Sequence, residues 1–262
     1  MHSRLPAFLH PIAGRPLIWH TVSALSTGPN PPAAIFVVAH SNVASELFDD
    51  VLLEISTVHP DIAAEGLAPR LAESFERLMI VDAASLVRPA AITQLLETGD
   101  GSWIVGPAGE VVAGVCGVGD YTKLMGMSDP LSGSSELFIP QRQVDFAPLA
   151  LRVTTRADLA VAHVRIRDRL VSALMESGVT FVLPESVVID VGASIGRDSV
   201  IYPGVVIEGE TTIGEETVVG PSCRIIHSWI GSGVELRGWN YIANTSIRNR
   251  AILEPYVRRG FE

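Results

Sequence analysis

The sequence predicts an α/β domain over residues 1–154, a connecting helix over 155–178 and a short left-handed parallel β-helix of hexapeptide repeats over 179–262. Three observations carry this. Aliphatic residues recur every six positions at Ile189, Ile195, Ile201, Ile207, Ile213, Val219 and Ile225. The series resumes after a one-residue slip at Ile230, Leu236 and Ile242, and after another at Ile247 and Leu253. The text between them rhymes (IGRDSV, IEGETT, IGEETV), as stacked units of one supersecondary element do. A period of six fits neither a helix nor a hairpin strand, but it fits a prism whose aliphatic residues point inward and whose small polar residues turn the corners. Three faces close a coil, so the twelve units predict about four coils. Third, the first two-thirds alternates strand and helix signals, the pattern of an α/β layer.

The elements follow in order. Gly14-Arg15-Pro16 opens a helix with Leu17, Ile18, Val22 and Leu25 on one face, ended by Gly28-Pro29-Asn30-Pro31-Pro32. The apolar run Ala34–Ala39 reads as a buried parallel strand. Ser41 or Asn42 caps a second helix carrying Val43, Leu47, Val51 and Ile55. Leu78–Val81 reads as another buried strand with Asp82 at its carboxyl end, and Pro89 starts a helix through Leu96. Ser102–Val115 forms a hairpin turning at Pro107-Ala108-Gly109, and residues 126–148, rich in Gly, Ser and Pro, form a surface loop. Thr155-Arg156-Ala157-Asp158 is a capping box for the connecting helix. Leu159, Ala162, Ile166, Leu170 and Leu174 form its apolar stripe, and Gly178 stops it.

Composition narrows function. A net charge of −10 over 262 residues argues against nucleic acid and anionic lipid as partners. No apolar run approaches the ~18 residues of a membrane span, and the N-terminus lacks a secretory core, so a cytoplasmic protein is expected. Cys116 and Cys223 match no metal spacing and read as buried free thiols. Of 19 basic residues only Lys123 is lysine. That scarcity bears on phosphate chemistry, since the fixed fork of Arg does not simply replace a compact ammonium at a transferring phosphoryl group.

Three segments carry a family resemblance. LPAFLHPIAGRPLIWHTV (5–22) resembles a stretch that reads LPKVLHPIAGRPMLEHV in the bacterial bifunctional N-acetylglucosamine-1-phosphate uridyltransferase/glucosamine-1-phosphate acetyltransferase family, GlmU. Residues 173–225 are similar to that family's solenoid entry almost unit for unit, and EPYVRRG (254–260) resembles its GPFARLRPG. The resemblance is weak between about 60 and 150. It implies a reduced nucleotidyltransferase-type (Rossmann-like) domain ahead of the β-helix. It also implies a Mg²⁺-dependent chemistry joining a nucleoside triphosphate to a sugar phosphate.

The family's site residues are sparsely matched. Its phosphate loop, LAAGxGTRM, has no counterpart, and Met1-His2-Ser3-Arg4 lines up with the end of that motif. Either the sheet has closed over a lost first strand, or the natural start lies upstream of Met1. The phosphate-binding Lys of LPK corresponds to Ala7, and the base-reading segment to Ala63–Ala72, which keeps little of it. The metal-binding Asp matches Asp82, whereas its partner Asn matches Thr154. The resemblance thus leaves Asp82 as the candidate Mg²⁺ ligand and Arg4, Arg15 and Arg258 as candidate substrate-binding cations. His227 stands where the family usually carries an acid on the coil surface.

The expected function is that of a degenerate relative in the UDP-N-acetylglucosamine pathway, impaired in catalysis and retained as a scaffold or regulator. Homotrimerisation through the β-helix is expected, with a mixed trimer containing a full-length family enzyme as a further option. Trp229, Trp239 and Tyr241 are candidate contacts. The alternatives are an active sugar-1-phosphate uridyltransferase using Arg4, Arg15 and Asp82 with Mg²⁺, and a hexapeptide acyltransferase.

Overall fold

The computed structural model describes residues 5–38, 45–50, 55–58, 71, 73–106, 111–118, 143–144 and 150–260. Two compact units emerge: residues 1–10 with 16–159, and residues 11–15 with 160–262. The division therefore falls inside the connecting helix, most of which packs with the β-helix. Residues 11–15 contribute a small hairpin to the second unit. Pro11–Ile12 (β1) and Arg15–Pro16 (β2) pair about the turn Ala13-Gly14. Both turn residues have positive φ, +46° and +79°, as a two-residue type I′ turn demands.

The first unit is mixed α/β. Leu17–Ser26 (α1) starts one residue past Pro16 and buries Leu17, Ile18, Thr21 and Val22. Ile35–Val38 (β3) pairs in parallel with Ile55–Val58 (β4). Ile55, expected on a second helix, is instead in a strand, and among the described residues of that segment Ser45–Phe48 forms a single 3-10 turn. β-branched Ile, Thr and Val outweigh a helical spacing that rested on four apolar residues. The Ser41 or Asn42 cap lies outside the described residues.

Arg77–Val81 (β5) is half-buried rather than buried and leads to Ser85–Val87 (β6). Pro89–Thr98 (α2) begins at its proline as expected. Ser102–Val105 (β7) and Val111–Gly117 (β8) pair antiparallel, which is the expected hairpin, although its turn lies outside the described residues. Gln143–Val144 (β9) adds a parallel strand to β7 within the stretch expected to be all loop. The resulting sheet, β5-β8-β7-β9, is mostly antiparallel, and among the described residues β5 is not paired with β3, although Phe36, Val38, Leu78 and Ile80 pack on one cluster. Trp103 pairs with Gly114, and a Cβ there would lie 1.9 Å from the indole. The glycine thus provides the floor on which the ring rests. Ala150–Arg152 (β10) pairs antiparallel with β6.

Arg156–Glu176 (α3) is the connecting helix. Its capping box is reciprocal: Asp158 N–H donates to Thr155 Oγ1 at 3.1 Å, and Thr155 N–H donates to Asp158 Oδ2 at 2.7 Å. Burial works against the charge on Asp158, but hydrogen bonds from Thr154 and Thr155 prevail and hold its carboxyl below the usual range. Gly178, at φ +100°, ends the helix.

The chain then winds into a parallel β-solenoid of about five turns, with three sheets of five, five and four short strands. Ile195 aligns with Ile213, and Ile207 with Ile225, a step of 18. Past the first slip the step shortens to 17, as in Ile213 to Ile230 and Val219 to Leu236. Two strands exceed the twelve repeats read from the sequence: Thr180–Phe181 at the start and Arg258–Arg259 at the end. Neither carries an aliphatic residue at the inward position, so the count of about four coils fell short. Ile201, Ile207, Val219, Ile225, Ile230 and Leu236 are fully buried, and Val171 and Leu174 of α3 pack on the same core.

The corners require left-handed backbone. Three columns carry it: Asp198, Glu216, Gly233 and Arg250; Gly204, Ser222, Trp239 and Tyr256; and Gly209, His227 and Asn244. A non-glycine residue there costs roughly 1–2 kcal/mol. Hydrogen bonds to the coil below offset part of that cost, as from Glu216 N–H to Arg197 O at 3.1 Å and Trp239 N–H to Pro221 O at 2.8 Å. Inside the corners, Ser199 and Thr217 donate their hydroxyls to the carbonyls of Gly214 and Gly231, both at 2.9 Å, tying successive coils together.

Candidate functional site

Asp82 follows β5, its backbone N–H donating to Val112 O at 2.9 Å. Both carboxylate oxygens are engaged. Oδ1 accepts the Ala84 N–H at 2.7 Å, and Oδ2 receives Arg152 Nε at 2.6 Å, with the Asp82 side chain only 11% exposed. The pairing of β6 with β10 delivers Arg152 to this point, and Val153 N–H donates to Ala84 O at 2.8 Å beside it. Thr154 is occupied too: its N–H and hydroxyl both donate to Asp158 Oδ2 at 2.9 Å. One strand thus brings the Asp82 and Thr154 segments together, but each side chain serves the fold.

Magnesium prefers an octahedral set of oxygens, with one or two free carboxylates. Asp82 offers a carboxylate already neutralised by a guanidinium, Thr154 offers a hydroxyl committed to a helix cap, and Arg152 adds positive charge beside them. Among the described residues no three His, Cys, Asp or Glu side chains converge on a possible ion. The residues present do not fit the metal.

Arg4 lies outside the described residues, as do Lys123 and residues 63–70 of the base-reading segment. Arg15 belongs to the solenoid unit, where its guanidinium lies 3.4 Å from Glu210. Arg258 is exposed on the last coil, 5.1 Å above the Tyr241 ring, with Arg224 also at 5.9 Å from that ring. His227 holds φ at +42°, and its Nδ1 accepts the Glu210 N–H at 3.3 Å. A Cβ on Gly209 would strike its imidazole at 2.1 Å, so the ring lies flat against that glycine.

Other sequence candidates resolve plainly. Trp229 and Trp239 are about half exposed, and Trp239 stacks on Tyr256 with centroids 5.6 Å apart. Tyr241 is partly covered by its arginines. Cys116 and Cys223 are buried thiols outside any disulfide. Burial pushes the Cys223 thiol up, away from thiolate chemistry. Arg152 is the residue that sequence reasoning missed, because its relation to Asp82 depends on a long-range antiparallel pairing.

The fold and its repeats define a hexapeptide-repeat β-solenoid protein. Residues 192–227 match the family model described as bacterial transferase hexapeptide (six repeats). In particular, about 40% of the chain is similar to the bifunctional protein GlmU. Identity is 45% over 106 residues to the protein from Geobacillus sp. (strain WCH70) and 38% over 105 residues to that from Caldanaerobacter subterraneus subsp. tengcongensis. It is 42% over 108 residues to that from Clostridium botulinum (strain Kyoto / Type A2). These matches take in 40%, 40% and 41% of this chain but only 23%, 23% and 21% of the relatives, so the likeness spans about a quarter of their length.

Proposed function

We propose that this chain is a GlmU-like protein of the sugar-nucleotide pathway, acting in the cytoplasm as a trimeric scaffold or regulator with impaired nucleotidyl transfer. The observation that carries the reading is the state of Asp82. Its two oxygens are held by Arg152 and the Ala84 amide, so a metal would have to displace a charge-assisted ion pair to reach it. Ala7 and Thr154 support the same reading, since an apolar methyl and a cap-bound hydroxyl replace the ammonium and amide that phosphate and Mg²⁺ call for. The solenoid, by contrast, keeps an uninterrupted core, which suits a part retained for assembly.

Two tests apply. Pyrophosphate release from UTP, N-acetylglucosamine-1-phosphate and Mg²⁺ is expected to run at least about a hundredfold below the ~1–10³ s⁻¹ of ordinary enzymes. Turnover inside that range would restore the alternative, an active uridyltransferase. Light scattering is expected to give three times the chain mass of 28.0 kDa, and a monomer at micromolar concentration would sink the trimeric part. A mixed trimer with a full-length relative is the same proposal extended, because flat solenoid faces of similar sequence would interchange. No observation favours the acyltransferase reading: His227 is committed to its corner.

A further inference from the structure

At most corners of the solenoid a backbone N–H donates to a carbonyl of the coil below, as His227 does to Glu208 O at 3.1 Å and Asn244 to Ile226 O at 3.0 Å. The first coil has no coil beneath it. There Val191 N–H donates at 3.0 Å to Ala13 O, in the turn of the Pro11–Arg15 hairpin. The hairpin therefore stands in for a missing coil at this corner.

Its seat is a carboxylate. A Cβ on Gly14 would lie 2.7 Å from both Cγ and Oδ2 of Asp190, so the turn rests directly on that side chain. Asp190 Oδ2 also accepts the Gly209 N–H at 2.8 Å, replacing a backbone carbonyl in the corner ladder. Among the described residues, charged and titratable groups surround it on several elements. Arg15 comes from the hairpin and lies against Glu210. His163 comes from α3. Glu208, Glu210 and His227 come from the next coils, with Glu208 gripped by both nitrogens of the Arg224 fork at 2.6 and 3.3 Å.

We propose that the Pro11–Arg15 hairpin and Asp190 form a protonation-sensitive clasp on the first coil, seated when Asp190 is neutral and loosened when it is ionised. Burial under the hairpin pushes the Asp190 carboxyl up, and Glu208 adds to the rise, while the Gly209 N–H and the two histidines oppose it. Lifting the hairpin returns the carboxylate to water. The seated form therefore binds the proton more tightly, so seating strengthens as pH falls through the carboxyl's titration and weakens as pH rises beyond it.

Hydrogen exchange of the full chain at pH 4 and pH 8, corrected for intrinsic rates, reads this directly. The peptide containing Val191 is expected to be several-fold better protected at pH 4 in the wild type. In Asp190→Asn its protection should stay high at both values, and Gly14→Ala should lose it at both. Equal or lower wild-type protection at pH 4 would overturn the clasp, as would full pH dependence in Asp190→Asn or unchanged protection in Gly14→Ala. Should Asp190→Asn fail to fold, a His163→Gln/His227→Gln double variant decides. The pH dependence persists if Asp190 is the titrating group, and its disappearance overturns the proposal.

Discussion

Ile225→Ala is expected to destabilise the solenoid by about 2–5 kcal/mol, the usual toll of truncating a buried Ile without collapse of the site. Ile225 is fully buried at the middle rung of its sheet, with Ile207 in register below and Ile242 above. The prism is closed on three sides, so neighbouring side chains have little freedom to move into the void. Each coil touches only its neighbours, and the loss is felt by both interfaces of that coil. At about 2–4 °C per kcal/mol for a chain of this size, the unfolding midpoint of the solenoid should fall by roughly 4–20 °C. Ile225→Val should lose only about 0.5–1.5 kcal/mol. An alanine variant within about 0.5 kcal/mol of wild type would mean that the side chain does not face the core.

Gly214→Ala is expected to destabilise by about 1–3 kcal/mol for a different reason. Gly196, Gly214 and Gly231 recur at one corner, where each coil passes closest to the next. A Cβ on Gly214 would lie 2.6 Å from Ser232 N and 2.7 Å from Gly231 C, both backbone atoms that cannot swing aside. No positive φ is involved, so the penalty measures close approach alone. Gly28→Ala is the control: its nearest neighbour would be 3.8 Å away, an ordinary contact, and little change is expected. Equal stability of the two variants would contradict the coil spacing.

The solenoid was legible in the sequence because each unit sends one aliphatic residue inward, and a one-dimensional stack turns that into a period. The two rungs that escaped, at Phe181 and Arg259, lack the aliphatic marker. The first unit was legible only locally. Pro89 and the Thr155–Asp158 box announce their helices through short-range chemistry, and Ser102–Val115 announces its hairpin. Which strand lies beside which is set by packing between residues tens of positions apart. Thus β5 pairs with β8, and Ile55 joins β3 in a parallel pair, with no local signal for either. Asp82 was found through the family resemblance, which matched it to a metal-binding Asp. Its occupation by Arg152 depends on the β6–β10 pairing and became visible only in three dimensions.

The state of Asp82 also offers the most direct test of impaired nucleotidyl transfer. UTP with Mg²⁺ would be titrated calorimetrically into wild-type protein and into Asp82→Asn, both first checked for the same thermal unfolding profile. The proposed reading predicts no saturable, Mg²⁺-dependent binding that distinguishes the two. One UTP bound per wild-type chain only when Mg²⁺ is present, and lost in Asp82→Asn, would contradict it.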